Sequence, residues 1–268
     1  MVRSEAMPVV IDVVNVTHHY GVKPVLLDVS IQVSQGEVLA LRGPNGTGKS
    51  TLMQVMAGVI APYRGYCSID GKRRRSNDAD EVAIRRKVAY LPAESWLPGK
   101  MTGREWLLAV GRLYEIEYMR LFDHVERLLA LFDLTSKADS PISSYSTGQQ
   151  KKISLAGALV TEAPILLLDE PFSGGLDPSG TMAMRRVLQH AARNGDTTVV
   201  IATPVPELVE EVAHRIAILR GARVHAHDTI EGLRALAGGA TRLDEIYQVL
   251  ANPEGVARID EYFAGPNP

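Results

Sequence analysis

Apolar and β-branched residues fill the first part of the chain in short runs that are typical of strands. The segments VVIDVVNV, from Val9, and LLDVSIQV, from Leu26, alternate apolar with polar positions, and a Gly-Glu turn leads into VLAL, which ends at Leu41. Alternation of this kind places every second side chain on one face of a strand. The segment from Val9 to Leu41 is therefore predicted to be β-rich.

Beyond Leu41, apolar strands alternate with amphipathic helices. Helical spacing is found in STLMQVMAG, from Ser50, across Thr102–Leu134 and in TMAMRRVLQHAARNG, from Thr181, while KVAYLP, PILLLDE and TVVIATP are short apolar runs. Strands separated by helices favour a largely parallel sheet. The helical stretch after Pro92 is predicted to be an inserted subdomain, and TRLDEIYQVL, from Thr241, to be a terminal helix before a fraying tail, AGPNP.

Composition and charge narrow the classes of partner. The chain has 268 residues, 46% of them hydrophobic, and a net charge of −2, which favours neither nucleic acid nor an anionic membrane surface. The basic run KRRR, from Lys72, is followed by the acidic NDADE and is interpreted as a solvated hairpin turn, so we expect no nucleic-acid partner. No apolar run reaches the roughly 18 residues of a membrane span, and the N-terminus lacks a signal-peptide pattern. These features predict a cytoplasmic protein.

A glycine-rich segment follows the strand that ends at Leu41. Gly43 to Ser50, GPNGTGKS, matches the pattern G-x-x-x-x-G-K-[ST], whose backbone N–H groups and helix N-terminus hold phosphate oxygens. In this pattern the lysine contacts the β- and γ-phosphates, and the hydroxyl binds Mg²⁺. A nucleoside triphosphate with Mg²⁺ is predicted to bind through Gly43, Asn45, Gly46, Thr47, Gly48, Lys49, Ser50 and Thr51.

Two carboxylates come directly after the apolar run Ile165–Leu168. A carboxylate at the end of a buried strand can hold Mg²⁺ opposite the phosphate loop, and its neighbour can accept a proton from an attacking water. Asp169 is therefore predicted to bind the metal together with Ser50. Glu170 is predicted to be the catalytic base.

The segment before these carboxylates carries a family resemblance. Tyr145–Gln149, YSTGQ, resembles the Leu-Ser-Gly-Gly-Gln signature of ATP-binding cassette (ABC) proteins, and ILLLDEP and GLDP follow it in the family's order. From about Val9 to Leu250 the chain resembles the ATP-binding subunit of an exporter-type ABC transporter. The resemblance implies an α/β fold: a P-loop NTPase of ABC type, with a mostly parallel core sheet, an N-terminal antiparallel β subdomain and an inserted α-helical subdomain. An ATPase domain would span residues 1–240, with the helical subdomain at about 93–145, before a C-terminal helix and tail at 241–268.

The resemblance also implies partners and further site residues. Cassettes of this family pair head to tail, so Ser146, Thr147, Gly148 and Gln149 would contact the ATP of a second cassette, in a homodimer or a heterodimer. Tyr20 matches the aromatic residue that stacks on adenine. The chain would bind ATP and Mg²⁺, and an integral-membrane transporter subunit would hold it at the inner face of the cell membrane.

Three positions depart from the family pattern. Pro204 follows the strand TVVIAT where a histidine normally contacts the γ-phosphate, and His214 is predicted to lie well along the next helix. Ala93 replaces a glutamine that senses Mg²⁺, with Glu94 one residue further on, and EPFSGGLDP has one glycine more than usual. We therefore expect either slow hydrolysis with Glu170 acting alone or a heterodimer whose active site uses this chain's signature.

Two other functions stay open on the sequence alone. The changed positions also suit a regulatory subunit that senses nucleotide without hydrolysing it. A cassette protein that acts on ribosomes or DNA ends is the other alternative. Such proteins carry two cassettes or a long coiled coil, whereas this chain shows one cassette and no heptad run.

Overall fold

The structure is a computed structural model that describes residues 7–240, 242–251 and 262. The strands are β1 (Val9–His19), β2 (Pro24–Ser34), β3 (Val38–Arg42), β4 (Arg64–Ile69), β5 (Lys72–Arg73), β6 (Val88–Leu91), β7 (Ile165–Asp169), β8 (Thr198–Ala202), β9 (Arg215–Arg220) and β10 (Arg223–Asp228). The helices are α1 (Lys49–Ala57), α2 (Asp78–Arg85), α3 (Gly103–Leu113), α4 (Tyr118–Leu131), α5 (Thr147–Leu159), α6 (Pro178–Asn194), α7 (Pro206–Val212), α8 (Ile230–Leu236) and α9 (Leu243–Ala251). The predicted AGPNP tail lies outside the described residues.

The strands form two sheets. One has the order β2-β1-β4-β5 and is antiparallel, and the other has the order β10-β9-β3-β8-β7-β6. In the second sheet, the strands from β9 to β6 run parallel, and β10 pairs antiparallel with β9 at one edge. The predicted fold class, with its mostly parallel core sheet and N-terminal antiparallel subdomain, is confirmed.

Both faces of the six-stranded sheet are buried, which explains why its central strands are apolar throughout. Val38 and Ala40 of β3 belong to a core that includes residues of α3 to α6, whereas Leu39 and Leu41 belong to a second core with α1 and the antiparallel sheet. The phosphate loop emerges from β3 between these two cores. Its starting point is therefore fixed from both sides.

The inserted helices pack on α5. A capping box at Thr102 and Glu105 starts α3, and α3 and α4 both contact α5. The C-terminal helix α9 packs on β9 and β10 and touches α7 and α8. The division of the chain at residues 93–145 and 241–268 stays a prediction. Within the described ranges, the helices are all too short or too polar to cross a membrane.

Two local predictions fail, one of them at a single residue. The basic run does lie on the β4–β5 hairpin with Lys72, Arg73 and Arg75 exposed, but Arg74 is buried, donates to the Met56 carbonyl oxygen at 2.8 Å and pairs with Glu81 at 3.0 Å. His214 does not lie in a helix, because α7 ends at Val212 and Ala213 has an extended backbone. The His214 Nδ1 accepts the Val38 N–H at 2.9 Å, at the end of β3 opposite the phosphate loop.

Candidate functional site

Three neighbouring strands end together and bring the candidate residues to one edge of the sheet. Strand β8 lies between β3 and β7, and Ala202 is paired with Leu41 on one side and with Asp169 on the other. The phosphate loop, the two carboxylates at the end of β7 and the Thr203–Pro204 segment after β8 therefore share one crevice. This is the ligand position expected beyond the carboxyl ends of parallel strands.

Two glycines allow the phosphate loop to pack against its surroundings. A Cβ at Gly43 would lie 2.5 Å from the Leu219 carbonyl oxygen, and one at Gly48 would lie 2.5 Å from the Val25 carbonyl oxygen. Gly48 also has a φ of 96°, a conformation that glycine adopts at little cost. A cavity of about 270 Å³ beside the loop is lined by Val25, Asn45, Gly46, Gly48, Lys49, Ser50, Thr51 and Glu170.

Lys49 is held inside the loop. Its ammonium donates to the carbonyl oxygens of Gly43 at 2.8 Å and Pro44 at 3.0 Å. Burial lowers the pKa of Lys49, and the carboxylates of Glu170 and Asp169 oppose that shift. Lys49 thus borders the crevice within electrostatic reach of the two carboxylates that were predicted to serve the reaction.

Asp169 and Ser50 meet across the crevice. Asp169 is 1% exposed, and its Oδ1 has no hydrogen-bond partner among the described residues. Burial raises the pKa of Asp169, while a hydrogen bond with the Ser50 hydroxyl and the charge of Lys49 oppose the rise. A buried, unsatisfied carboxylate oxygen beside a hydroxyl is an oxygen donor set of the kind that binds Mg²⁺. The residues present fit that ion.

Glu170 has a strained backbone. Its φ is 47°, in the left-handed region, and its N–H donates to the Ala202 carbonyl oxygen at 2.8 Å. Strain of this kind costs on the order of 1–3 kcal/mol and collects at functional sites. The side chain borders the phosphate cavity and also a second, adjoining cavity.

The second cavity contains Pro204. It measures about 200 Å³ and is lined by Arg42, Gly43, Pro44, Asn45, Lys49, Glu170, Thr203, Pro204 and Tyr247. Pro204 therefore faces the crevice beside Glu170. Ala93 and Glu94, both within the described ranges, border neither cavity.

Arg42 was missed by the sequence reasoning, although a signal existed. It ends β3, whose four preceding residues are apolar and buried. A charged residue at the end of such a strand and directly before a phosphate loop faces the ligand edge of the sheet. The structure places its side chain in the same cavity as Pro204.

Tyr20 contacts α1, the helix that follows the phosphate loop. Its hydroxyl donates to Gln54 Oε1 at 3.2 Å, and the His18 ring meets it edge-on at 4.9 Å between ring centroids. The side chain is 65% exposed and lies outside the lining of the phosphate cavity. Its predicted contact with adenine stays a prediction.

The signature residues form the first turn of α5. The Ser146 hydroxyl accepts the Gln149 N–H at 3.3 Å, and the Gln149 side chain accepts the Ser146 N–H at 3.0 Å. Ser146 and Thr147 are exposed, and a Cβ at Gly148 would lie 2.7 Å from the Gly175 carbonyl oxygen. We call the exposed turn Ser146–Gln149 the signature surface. Its residues border neither cavity of the chain's own site.

Two buried lysines lie one turn further along α5, and sequence reasoning had assigned them no role. Lys152 donates to Asp177 Oδ2 at 2.7 Å and to the Ser179 hydroxyl at 3.2 Å. The Lys151 ammonium has no hydrogen-bond partner among the described residues. Burial lowers the pKa of Lys151, and the charges of Glu170 and Asp169 oppose the shift.

The chain is similar in sequence to ATP-binding proteins of ABC transporters. The sequence profile described as ABC transporter matches residues 26–173, more than half of the chain. The chain is 32% identical over 227 residues to the daunorubicin resistance ATP-binding protein DrrA3 of Streptomyces coeruleorubidus, covering 85% of this chain and 70% of that protein. It is 31% identical over 217 residues to the Nod factor export ATP-binding protein I of Rhizobium leguminosarum bv. viciae, covering 81% and 68%. The chain thus spans about two thirds of the length of these relatives.

Two solved structures extend the similarity to the fold. The ATP-binding subunit of an ABC transporter superposes with a TM-score of 0.82 at 29% identity, covering 90% of this chain and 99% of that one. A dimeric ATP-binding cassette in a post-hydrolysis state, bound to ADP and Pi, superposes with a TM-score of 0.73 at 26% identity, covering 82% and 98%.

Proposed function

Because the chain belongs to the ABC transporter family as an ATP-binding subunit, we propose that it is the ATP-hydrolysing motor of an exporter and that its own site turns over slowly. One observation carries the proposal. Lys49, Glu170 and Pro204 line the same crevice. The phosphate-binding lysine and the carboxylate base therefore lie beside a proline, whose side chain can neither donate a hydrogen bond nor transfer a proton.

Binding of ATP rests on the phosphate loop. The β- and γ-phosphates would replace the Gly43 and Pro44 carbonyl oxygens as partners of Lys49, and the first turn of α1 adds backbone N–H groups. Ser50 and Asp169 would hold Mg²⁺, which supplies positive charge to the phosphate oxygens. The Tyr20 ring is largely exposed and is therefore available to stack on one face of adenine.

Hydrolysis would depend on Glu170. Its carboxylate accepts a proton from the attacking water, and the bond of its N–H to Ala202 keeps it at the end of the strands. A histidine after β8 would contribute a further hydrogen bond to the γ-phosphate. Pro204 has no side-chain donor and no backbone N–H. Loss of one such transition-state contact lowers a rate by about 10²–10³, so hydrolysis would be slow but measurable.

The partners follow from surfaces on two sides of the chain. The exposed signature surface suits the ATP of a second cassette, in a homodimer or a heterodimer, and one structural neighbour is a dimer. Trp96 is 84% exposed beside a groove that Trp106 and Tyr114 also line, a surface suited to an apolar helix of a membrane subunit. Docking there would place the protein on the cytoplasmic face of the membrane. The names of the relatives mention drug resistance and export, which favours export over import.

The experiment is steady-state phosphate release by the purified chain with ATP and Mg²⁺, alongside equilibrium titration of ATP. We expect tight binding, slow release and a further fall in Glu170→Gln, whereas Glu231→Gln, at an exposed carboxylate on α8, serves as the control. Absence of ATP binding would overturn the proposal. Fast release that Glu170→Gln leaves unchanged would overturn the assignment of the base.

A further inference from the structure

The cavity beside Pro204 contains a cation that belongs to no predicted motif. Arg42 reaches it from the end of β3, and Lys49 borders the same space of about 200 Å³. The charge of Arg42 is close enough to oppose protonation of Lys49. Two cations therefore line one small cavity together with Glu170.

The contacts of Arg42 hold the side chain in place but compensate its charge only in part. Its Nη1 donates to the Thr203 carbonyl oxygen at 2.9 Å, which ties it to the segment that carries Pro204. Its Nη2 lies 3.7 Å from Asp244 Oδ1, and the guanidinium carbon lies 5.7 Å from the centre of the Tyr247 ring. The buried Nε has no hydrogen-bond partner among the described residues.

The burial of this charge calls for a further partner. The Arg42 side chain is 11% exposed, whereas that of Asp244 is 52% exposed, so their long ion pair is weakened by water. Burial lowers the pKa of Arg42, and Asp244, Tyr247 and Glu207 only oppose that shift. A buried guanidinium with a free donor is costly unless an anion completes its contacts. The oxygens of a phosphate group match its planar set of donors.

We propose that Arg42 contacts the terminal phosphate of bound ATP from the end of β3, beside the position where Pro204 offers no side-chain donor. The inference rests on the proposed function, since it concerns the same site. Arg42 remains protonated, so it stabilises negative charge and does not take part in proton transfer. Helix α9, through Asp244 and Tyr247, holds the guanidinium near the cavity and thereby links the C-terminal helix to the nucleotide.

The proposal makes a prediction that a purely structural role does not. A contact with the terminal phosphate strengthens the binding of ATP but not of ADP. Titrations in the Glu170→Gln background, where turnover is suppressed, compare both nucleotides. We expect Arg42→Leu to lower the affinity for ATP by roughly tenfold or more, because hydrogen bonds to charged groups are strong. The affinity for ADP should change by less than about twofold.

Three further variants sharpen the test. Arg42→Gln removes the charge but keeps a donor for Thr203, so it should lose ATP affinity like Arg42→Leu even if the leucine variant folds poorly. Arg42→Lys should recover part of the affinity. Arg220→Leu is the matched control, because Arg220 ends the neighbouring strand β9 and its charge also acts on Tyr247, yet it lies outside the lining of the cavity.

The outcomes separate this inference from the proposed function. A wild type that binds ATP, with equal losses of ATP and ADP affinity in Arg42→Gln, would overturn the phosphate contact and leave the motor function standing. The same holds if Arg42→Gln keeps the ATP affinity of its parent. A wild type that binds neither nucleotide would overturn the proposed function and this inference together.

Discussion

The crevice at the carboxyl ends of β3, β7 and β8 differs from the signature surface of α5 in how its polar groups are satisfied. We call this crevice, from Arg42 to Ser50 and at Asp169, Glu170 and Pro204, the nucleotide edge. At the nucleotide edge, an oxygen of Asp169 and the Nε of Arg42 are buried without hydrogen-bond partners in the described part of the chain. At the signature surface, Ser146 and Gln149 cap each other. Unsatisfied buried groups cost free energy, so the nucleotide edge gains stability from a ligand, whereas the signature surface is complete before any partner arrives.

This difference between the two regions matches two separate roles, ATP binding at the chain's own site and contact with the ATP of a second cassette. The nucleotide edge keeps its binding loop and both carboxylates, but the position after β8 is Pro204. The signature surface keeps the serine, a glycine packed on Gly175 and the capping glutamine. This contrast is what the proposed function requires of a chain that pairs with a second cassette but hydrolyses ATP slowly at its own site.

The largest effect is expected from Lys49→Ala. The variant removes the charge that would meet the β- and γ-phosphates, so ATP affinity should fall by more than about 100-fold. Equilibrium titration with the purified variant checks this, with Lys100→Ala, at an exposed lysine, as the control. Undiminished affinity would mean that the nucleotide edge does not hold the phosphates.

A smaller effect, confined to the signature surface, is expected from Gly148→Ala. The added Cβ would lie 2.7 Å from the Gly175 carbonyl oxygen, and overpacking typically costs about 1–3 kcal/mol of unfolding free energy. ATP affinity at the chain's own site should stay the same. Denaturant unfolding and ATP titration separate the two, and Gly99→Ala, which meets only an ordinary contact with Ser143, is the control. Lost ATP affinity with unchanged stability would contradict the separation of the two regions.

Tyr20→Ala tests how far the nucleotide edge extends. If the exposed ring stacks on adenine, the variant should lose about 1–2 kcal/mol of ATP binding free energy, and Tyr20→Trp should keep most of it. Both are measured by titration. Equal affinities in the parent and both variants would make Tyr20 a packing residue held by Gln54.

The smallest effect concerns the contact between Lys152 and Asp177 behind the signature surface. The Lys152 ammonium and the Gly180 N–H hold the pKa of Asp177 below its ordinary value of 3.8. The ionised carboxylate therefore adds stability above the unfolded-state pKa, and this gain is lost as the pH falls through the lower folded-state pKa. Asp177→Asn should cost roughly 0.5–1 kcal/mol at neutral pH.

Denaturant unfolding of wild type and Asp177→Asn over a series of pH values tests this contact. The difference between wild type and Asp177→Asn in unfolding free energy should shrink towards zero in strong acid. Asp196→Asn, at an exposed aspartate beyond α6 and outside this ion pair, is the matched control. A difference that stays constant across the acidic range would rule out the ion pair as its source.

The parts of the site that the sequence predicts are contiguous. The residues from Gly43 to Ser50 form one short contiguous segment whose spacing matches a phosphate-binding pattern, and Ser146–Gln149 is a short segment that the family resemblance identifies. Arg42 and Lys151 are different, because their burial depends on distant parts of the chain. Helix α9 contacts Arg42 through Tyr247, and the loop at Gly174 passes beside Lys151.

His214 shows how a local pattern can mislead. The segment ELVEEVAH has helical spacing throughout, but the structure ends the helix at Val212 and uses the next residues to enter β9. Pairing of β9 with β3 overrides the local preference, because it buries Ile216 and Ile218 in the sheet. Strand pairing of this kind depends on residues that are distant in the sequence, so the local hydrophobic pattern does not predict it.

The central claim is that Pro204 makes this chain's own site slow, and phosphate release tests it most directly. Steady-state release should be low in the wild type and lower in Glu170→Gln, and it should rise in Pro204→His, because an imidazole could then bridge Glu170 and the γ-phosphate. Combining Pro204→His with Ala93→Gln should exceed either change alone. A wild-type rate that is already high, and that neither Pro204→His nor Glu170→Gln alters, would contradict the claim.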